Sequence, residues 1–472
     1  MSAFKTPSTG RQVMTISVDG GGQTAVDLET TLDVETIAGL APGADIRIYA
    51  MPDLADMSIN DAYNQVISDG VAKIASMSFA GCEGPYDSVT TSPIFQNGVN
   101  SGVTFVASSG DQGNECYNNG SYQPGVQYPA SDPNVVGVGG NETPHGLAPL
   151  TNPVAWNDSY SVAGQLATGG GVSAYAPLPS FQSGLPGLAS TKYRNVPDVS
   201  LPAVDAAIYE SGWGSVLGTS WSAPQFAAML AEIREYCRAD LGNVNARLYS
   251  AYKSAGSADF IDVTAGNNQF KGTAPFYAAT PGYDNATGLG VPLGMPLAQT
   301  MCPNRVLTSG SRRAEGQAVL SRLAAVPYVT DLRPAVRNIQ DTGRRTSISL
   351  TSIQIVLRPT ATLAADEAAV AAALRAAGLT ITRTFSNHLV IDARGPAGAI
   401  ESLFQTTLDD FDQPGRGIRY APVSTTTIPA SLAPYVSGII LNNVVRAHHL
   451  REACPPEPRR SSVRRFPREE QP

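Results

Sequence analysis

Charge is scarce in this chain. Asp, Glu, Lys and Arg supply 15% of its 472 residues, where about a quarter is usual. Lysine occurs only at Lys5, Lys73, Lys192, Lys253 and Lys271, so arginine carries most of the positive charge. The net charge of −8 gives no footing for nucleic acid, which is held through clustered Lys and Arg. No apolar run is long enough to cross a bilayer, so no membrane partner is expected. The opening MSAFKTPSTGRQ lacks the apolar core of a signal peptide, so the chain as given is not expected to encode its own export. Cysteine is limited to Cys82, Cys116, Cys237, Cys302 and Cys454, with no C-x-x-C pair, which speaks against zinc. Two disulfides with a spare thiol, or buried free thiols, both fit that count. Histidine is limited to His145, His388, His448 and His449.

Hydrophobic residues make up 42% of the chain, and its length suits two domains. Strand-like runs ADIRIYA (44–50), KIASMSF (73–79), VTFVASS (103–109) and NVVGVGG (134–140) alternate with helical patterns at 59–69 and 222–238. Val-rich and Ile-rich strands alternating with helices imply an α/β fold with a buried parallel sheet flanked by helices. Ligands of such sheets bind at the carboxyl ends of the strands. This pattern occupies residues 1–302. Residues 303–345 are polar and Arg-rich and read as a linker. In residues 346–445, SIQIVLRP (352–359) reads as a strand and 364–377 as a helix that starts near Thr362 and stops at Gly378. LTITRTF, HLVIDA and AGAIESLFQTTL add two strands and a helix, giving an α+β order like the ferredoxin-like split arrangement. The tail 446–472 reads as disordered.

The sharpest motif is Gly218-Thr219-Ser220-Trp221-Ser222-Ala223-Pro224, which follows a strand-like segment and opens a helix. A serine there has an exposed hydroxyl, and its N–H lies at a helix N-terminus suited to developing negative charge. Pro224 is expected in the first turn. G-T-S alone would be an ordinary helix cap. The full string resembles that of the subtilisins and of their acid-active relatives, the sedolisins. A subtilisin needs a histidine base in a His-Gly-Thr-His setting. None of the four histidines has that context, so carboxylates must serve.

Glu29 and Asp33 are i,i+4 in a helical stretch, so their carboxyl groups share one face. Such a pair alone is usually a solvated surface. The surrounding ETTLDVETIAGLAPGADIRIY resembles the sedolisin signature, although Gly39-Leu40 stands where the family often has Ala-Leu. The resemblance implies Ser220 as nucleophile, Glu29 as base and Asp33 as its proton-sharing partner. Two carboxyls this close hold one proton between them, which suits acidic solution. Ser108-Ser109-Gly110-Asp111-Gln112-Gly113 follows a strand, and an Asp between glycines is by itself a turn residue. In sedolisins the same string carries the oxyanion-hole aspartate. A protonated Asp111 would donate to the oxyanion.

Other stretches carry the resemblance further. Gly169, Gly170 and Gly171 match the family's substrate loop. Ser78, Phe79 and Ala80 fall where it lays a peptide beside an edge strand, with Ala80 in place of the usual glycine. Asp198, in Val-Pro-Asp-Val-Ser, reads as structural. The loops around Asp262 and Asp284 resemble the family's single calcium site, and imply carboxylate ligands there with carbonyls from Val263, Thr280 and Gly282; Thr280 replaces the usual glycine. Such hard oxygens suit Ca²⁺. Cys82 and Cys116 follow consecutive strands, which a bridge would fit, and Cys237–Cys302 would tie the helix after Ser220 to the domain end.

The resemblance covers residues 20–302, an N-terminally incomplete catalytic domain without the family's first central strand, and residues 346–445, an activation prodomain that precedes the catalytic domain in the family and follows it here. Two functions are implied. The first is an acid-active serine-carboxyl peptidase acting on proteins or peptides, extracellular by resemblance. The second is an inactive truncated or fused relative that only binds or inhibits, through residues 346–445, its own or another sedolisin's catalytic domain. A prodomain that evolved beside another catalytic copy is expected to dock weakly or not at all over Ser220.

Overall fold

The computed structural model describes residues 12–22, 27–118, 121–143, 152–158, 166–210, 212–273, 275–303, 339–449 and 452–453. The fifth cysteine, Cys454, lies outside them. Strand β1 (Val13–Ser17) leads to α1 (Leu28–Leu40), β2 (Ile46–Ala50), α2 (Asp56–Asp69), β3 (Ile74–Met77) and β4 (Phe79–Cys82). Then come β5 (Thr104–Ser108), β6 (Val135–Glu142), β7 (Val199–Pro202), β8 (Trp213–Leu217) and α3 (Thr219–Cys237). The Asp27 side chain caps α1 by accepting from the Thr30 N–H at 2.8 Å. Gly70 ends α2 at a φ of 64°, a conformation that costs glycine least.

The parallel strands run β3–β5–β6–β7, and β1 pairs β2 in parallel with Val13 opposite Ile46. Among the described residues no strand joins β2 to β3, so the parallel strands form two separate pieces. The middle strands are buried on both faces. Val106, Val136 and Val138 meet Phe226 and Leu230 of α3 in one core, while Phe105 meets Phe95 and Tyr63 in another. Each such side chain adds roughly 1.5–3 kcal/mol by burial. Disulfides Cys82–Cys116 and Cys237–Cys302 close loops around this core.

Arg194 is fully buried and pairs with Asp198 at 2.6 Å. Asp198 also accepts from the Gly137 N–H at 2.8 Å and the Tyr249 hydroxyl at 2.8 Å. Removing one partner strands the other charge in the core. Asp198→Ala is expected to destabilise the fold by roughly 3–5 kcal/mol, read by urea denaturation; a loss below about 1 kcal/mol would show the pair is dispensable.

The second domain contains β9 (Gln340–Arg344), β10 (Leu350–Leu357), α4 (Leu363–Ala376), β11 (Thr380–Thr384), β12 (Val390–Pro396), α5 (Ala397–Phe404), β13 (Leu408–Gln413), β14 (Gly417–Pro422) and β15 (Val436–Ile440). Its four-stranded antiparallel sheet has the order β11–β12–β10–β15, with the β13–β14 hairpin inserted before the last strand. Strand β9 falls inside the stretch read as linker. Its residues are polar and exposed, so only backbone pairing with β13 marks it as a strand. The tail read as disordered from 446 contains two further strands, β16 (His448–His449) and β17 (Glu452–Ala453).

The two domains dock through α2, and the expectation of weak docking over Ser220 concerns a different face. Val356, Phe385, Leu389 and Val390 share a core with Tyr63, Val66 and Ile67 of α2. Around it, Gln354 accepts from Asn60 at 2.9 Å and donates to Asp61 at 2.8 Å, and Asn387 donates to Asn64 at 2.8 Å. Chain order says nothing about such packing, because a long connection costs little in closure entropy.

Candidate active site

Ser220 lies in the first turn of α3, two residues after Gly218, and it is buried, not exposed as its corner suggested. Gly218 has a φ of 135°, which side-chain-bearing residues rarely adopt and which sets the sharp corner. Pro224 sits in the second turn of α3, not the first as its motif suggested. That shift has a use. Proline has no N–H for the carbonyl four residues back, which is that of Ser220. The Ser78 hydroxyl donates to this carbonyl at 3.2 Å, and the Ser220 hydroxyl donates to the Ser78 carbonyl at 3.3 Å.

Ser78 is thus a junction. Its Oγ also lies 2.7 Å from Asp33 Oδ1. Burial pushes the Asp33 carboxyl up to about 7, partly offset by the Ser78 bond and reinforced by Asp27. Glu29 precedes Asp33 by one turn of α1 and is 3% exposed. Helix α1 packs along α3, which brings this acidic turn to the nucleophile's helix. Asp111 is buried at the end of β5, and its Oδ1 accepts from the Thr219 N–H at 2.8 Å and the Thr219 hydroxyl at 2.7 Å. Asp111 is therefore fixed beside the residue that precedes Ser220. Sequence reasoning missed the joining roles of Ser78 and Thr219, although both stand inside motifs it had singled out.

Gly169, Gly170 and Gly171 are buried. A Cβ on Gly169 would lie 2.2 Å from the Ser109 carbonyl oxygen, and one on Gly170 2.0 Å from that of Asn285. Gly169 packs the loop onto the segment holding Asp111, and Gly170 packs it against Asn285. Phe79 and Ala80 lie on β4, whose edge is paired within this chain: β16 runs antiparallel to it, with His448 opposite Ala80 and His449 opposite Phe79. Strand β17 pairs β8, just before Gly218. The chain beyond the second domain therefore follows the edge that the sequence assigned to substrate.

The two loops assigned to calcium do meet. The Gly282 N–H donates to Asp262 at 2.9 Å, and Asp284 accepts from the Thr280 N–H at 3.0 Å. Val263 is buried between them and Asp262 is exposed. The side-chain donor set is carboxylate oxygen alone, which fits a hard cation.

Residues 19–272 match the model of the subtilase family, and residues 331–443 that of the pro-kumamolisin activation domain. The chain is 35% identical over 316 residues to kumamolisin of Bacillus sp. (strain MN-32), covering 62% of this chain and 55% of that protein. It is 35% identical over 280 residues to sedolisin of Pseudomonas sp. (strain 101), covering 56% and 47%. The chain thus spans about half the length of these relatives. Among solved structures it resembles Pseudomonas sedolisin, a serine-carboxyl proteinase complexed with two molecules of pseudo-iodotyrostatin, at 31% identity and a TM-score of 0.52, covering 62% of this chain and 86% of that one.

Proposed function

Because this chain belongs to the subtilase family and to its sedolisin branch, we propose that it hydrolyses peptide bonds in acid through Ser220, Glu29, Asp33 and Asp111. The observation that carries this reading is the linkage of Asp33, Ser78 and Ser220 at the α3 N-terminus, with Asp111 on the neighbouring Thr219. In the proposed mechanism Glu29 takes the Ser220 proton as the hydroxyl oxygen attacks the substrate carbonyl. Asp33 holds the proton that keeps the paired carboxyls from both ionising. The Ser220 N–H, in the first turn of α3, has no carbonyl four residues back within the helix and can face the oxyanion. A protonated Asp111 supplies a second donor. Hydrolysis of a denatured protein across acid and neutral pH tests the proposal: activity confined to acid supports it, and a maximum at neutral pH overturns it.

A second reading is favoured by one observation, the two-piece parallel sheet. An incomplete sheet could fold without turnover, leaving a binding or inhibitory protein. A folded sample inactive at every pH would favour it.

Calcium is proposed at Asp262 and Asp284, with carbonyls of Val263, Thr280 and Gly282. Bound there, the ion would neutralise the two carboxylates and cross-link their loops. Calcium is expected to raise the melting temperature, and a chelator to lower it by several degrees. An unchanged melting temperature after verified calcium removal would reject the site.

A further inference from the structure

Beside the substrate edge of β4 lies a pocket that recognises a guanidinium. Asp56, Cys82, Tyr86 and Asp87, all in the catalytic domain, surround the Arg446 guanidinium there. The Arg446 Nε donates to Asp56 Oδ2 at 3.0 Å and its Nη2 to Asp56 Oδ1 at 2.8 Å, a bidentate pair. Nη2 also reaches Asp87 Oδ1 at 3.3 Å, and Nη1 reaches the Cys82 carbonyl at 3.3 Å. The guanidinium lies 4.4 Å from the centre of the Tyr86 ring. The side chains of Arg446, Asp56 and Asp87 are 12%, 10% and 5% exposed. Two buried carboxylates this near each other repel unless a cation lies between them. A planar fork stacked on an aromatic ring matches arginine better than lysine. Gly81 lets the chain come close: a Cβ there would lie 3.1 Å from the Arg446 carbonyl oxygen.

We infer that this pocket is a substrate subsite selecting arginine on the amino-terminal side of the cleaved bond. The inference rests on peptide hydrolysis at Ser220, as proposed above. The register supplies the position. His448 faces Ala80 and His449 faces Phe79, so the next residue of a peptide on this edge faces Ser78, which bonds Ser220. Arg446 stands four positions before that residue. A substrate laid on β4 in the same direction passes its own side chain through the same pocket once the tail is displaced.

Two measurements on the full chain test this. In Arg446→Ala, millimolar arginine amide is expected to raise the melting temperature by several degrees, with no rise when Asp56→Asn and Asp87→Asn are added. If Arg446→Ala does not fold alone, its refolding is followed with arginine amide or lysine amide added: rescue by arginine amide only supports the pocket, and no rescue overturns it. In the Ser220→Ala, Arg446→Ala chain, fluorescent peptides with Arg or Ala four positions before the residue facing Ser78 are compared by anisotropy. The Arg peptide should bind roughly tenfold or more tightly, and the Asp56→Asn, Asp87→Asn pair should erase the difference. Equal affinities, or no binding by either peptide, overturn the inference. Arginine rescue without peptide discrimination also overturns it, leaving a clamp for the tail alone. Discrimination without turnover of any peptide by the Ser220 chain supports the pocket and sinks the peptidase reading instead.

Discussion

Ser220→Ala should lower peptide hydrolysis by roughly four to six orders of magnitude, as loss of the nucleophile does in serine hydrolases. The fold should not change with it. The Ser220 hydroxyl donates to the Ser78 carbonyl at 3.3 Å and sits at a corner set by Gly218 and the start of α3. Its loss should cost no more than about 1 kcal/mol. Glu29→Gln should cost roughly 10²–10⁴-fold as removal of a general base. Adding it to Ser220→Ala should cost almost nothing more, because residues that act as a unit are non-additive. Retention of one-tenth of the activity in Ser220→Ala would remove this serine from the chemistry.

What the sequence revealed and concealed follows from which interactions are local. The runs at 44–50, 73–79, 103–109 and 134–140 each hold a strand, and those at 103–109 and 134–140 bury their Val and Phe against helices. The acidic turn of α1 and the G-T-S corner were legible through the longer strings around them that resemble the sedolisin motifs, because an i,i+4 acid pair alone is a solvated surface and G-T-S alone a helix cap. The shift of Pro224 to the second turn depends on where Gly218 ends β8, which composition does not show. Ser78 looked like a substrate contact. Its links to Asp33 and to Ser220 span 45 and 142 residues, and no local pattern marks them. The docking face of α2 was opaque for the same reason: Asn60, Asp61 and Asn64 meet Gln354 and Asn387 across 294, 293 and 323 residues.

Activity should be confined to acid, for two separable reasons. The first is the carboxyl pair. Burial raises Asp33 to about 7 from an ordinary value of 3.8. The folded protein therefore binds this proton between about pH 4 and 7, where an unfolded chain has released it. As pH rises through 7 the proton leaves, a buried charge is left on Asp33 near that of Asp27, and both fold stability and the proton-sharing arrangement decline. The second reason is Asp111. Its Oδ1 is engaged by both donors of Thr219, so donation to an oxyanion must come from a proton on Oδ2. Asp111→Asn keeps an acceptor toward Thr219 and offers an N–H₂ that does not titrate. It should extend activity upward in pH, with the remaining fall set by the Glu29–Asp33 pair near 7. Asp33→Asn should remove that remaining fall, because the amide carries no titrating proton. The decisive record is kcat/KM against pH for the wild type and both variants. If Asp111→Asn and the wild type lose activity along the same curve, Asp111 is not the oxyanion donor. If neither curve falls toward neutral pH, the carboxylate mechanism fails with it.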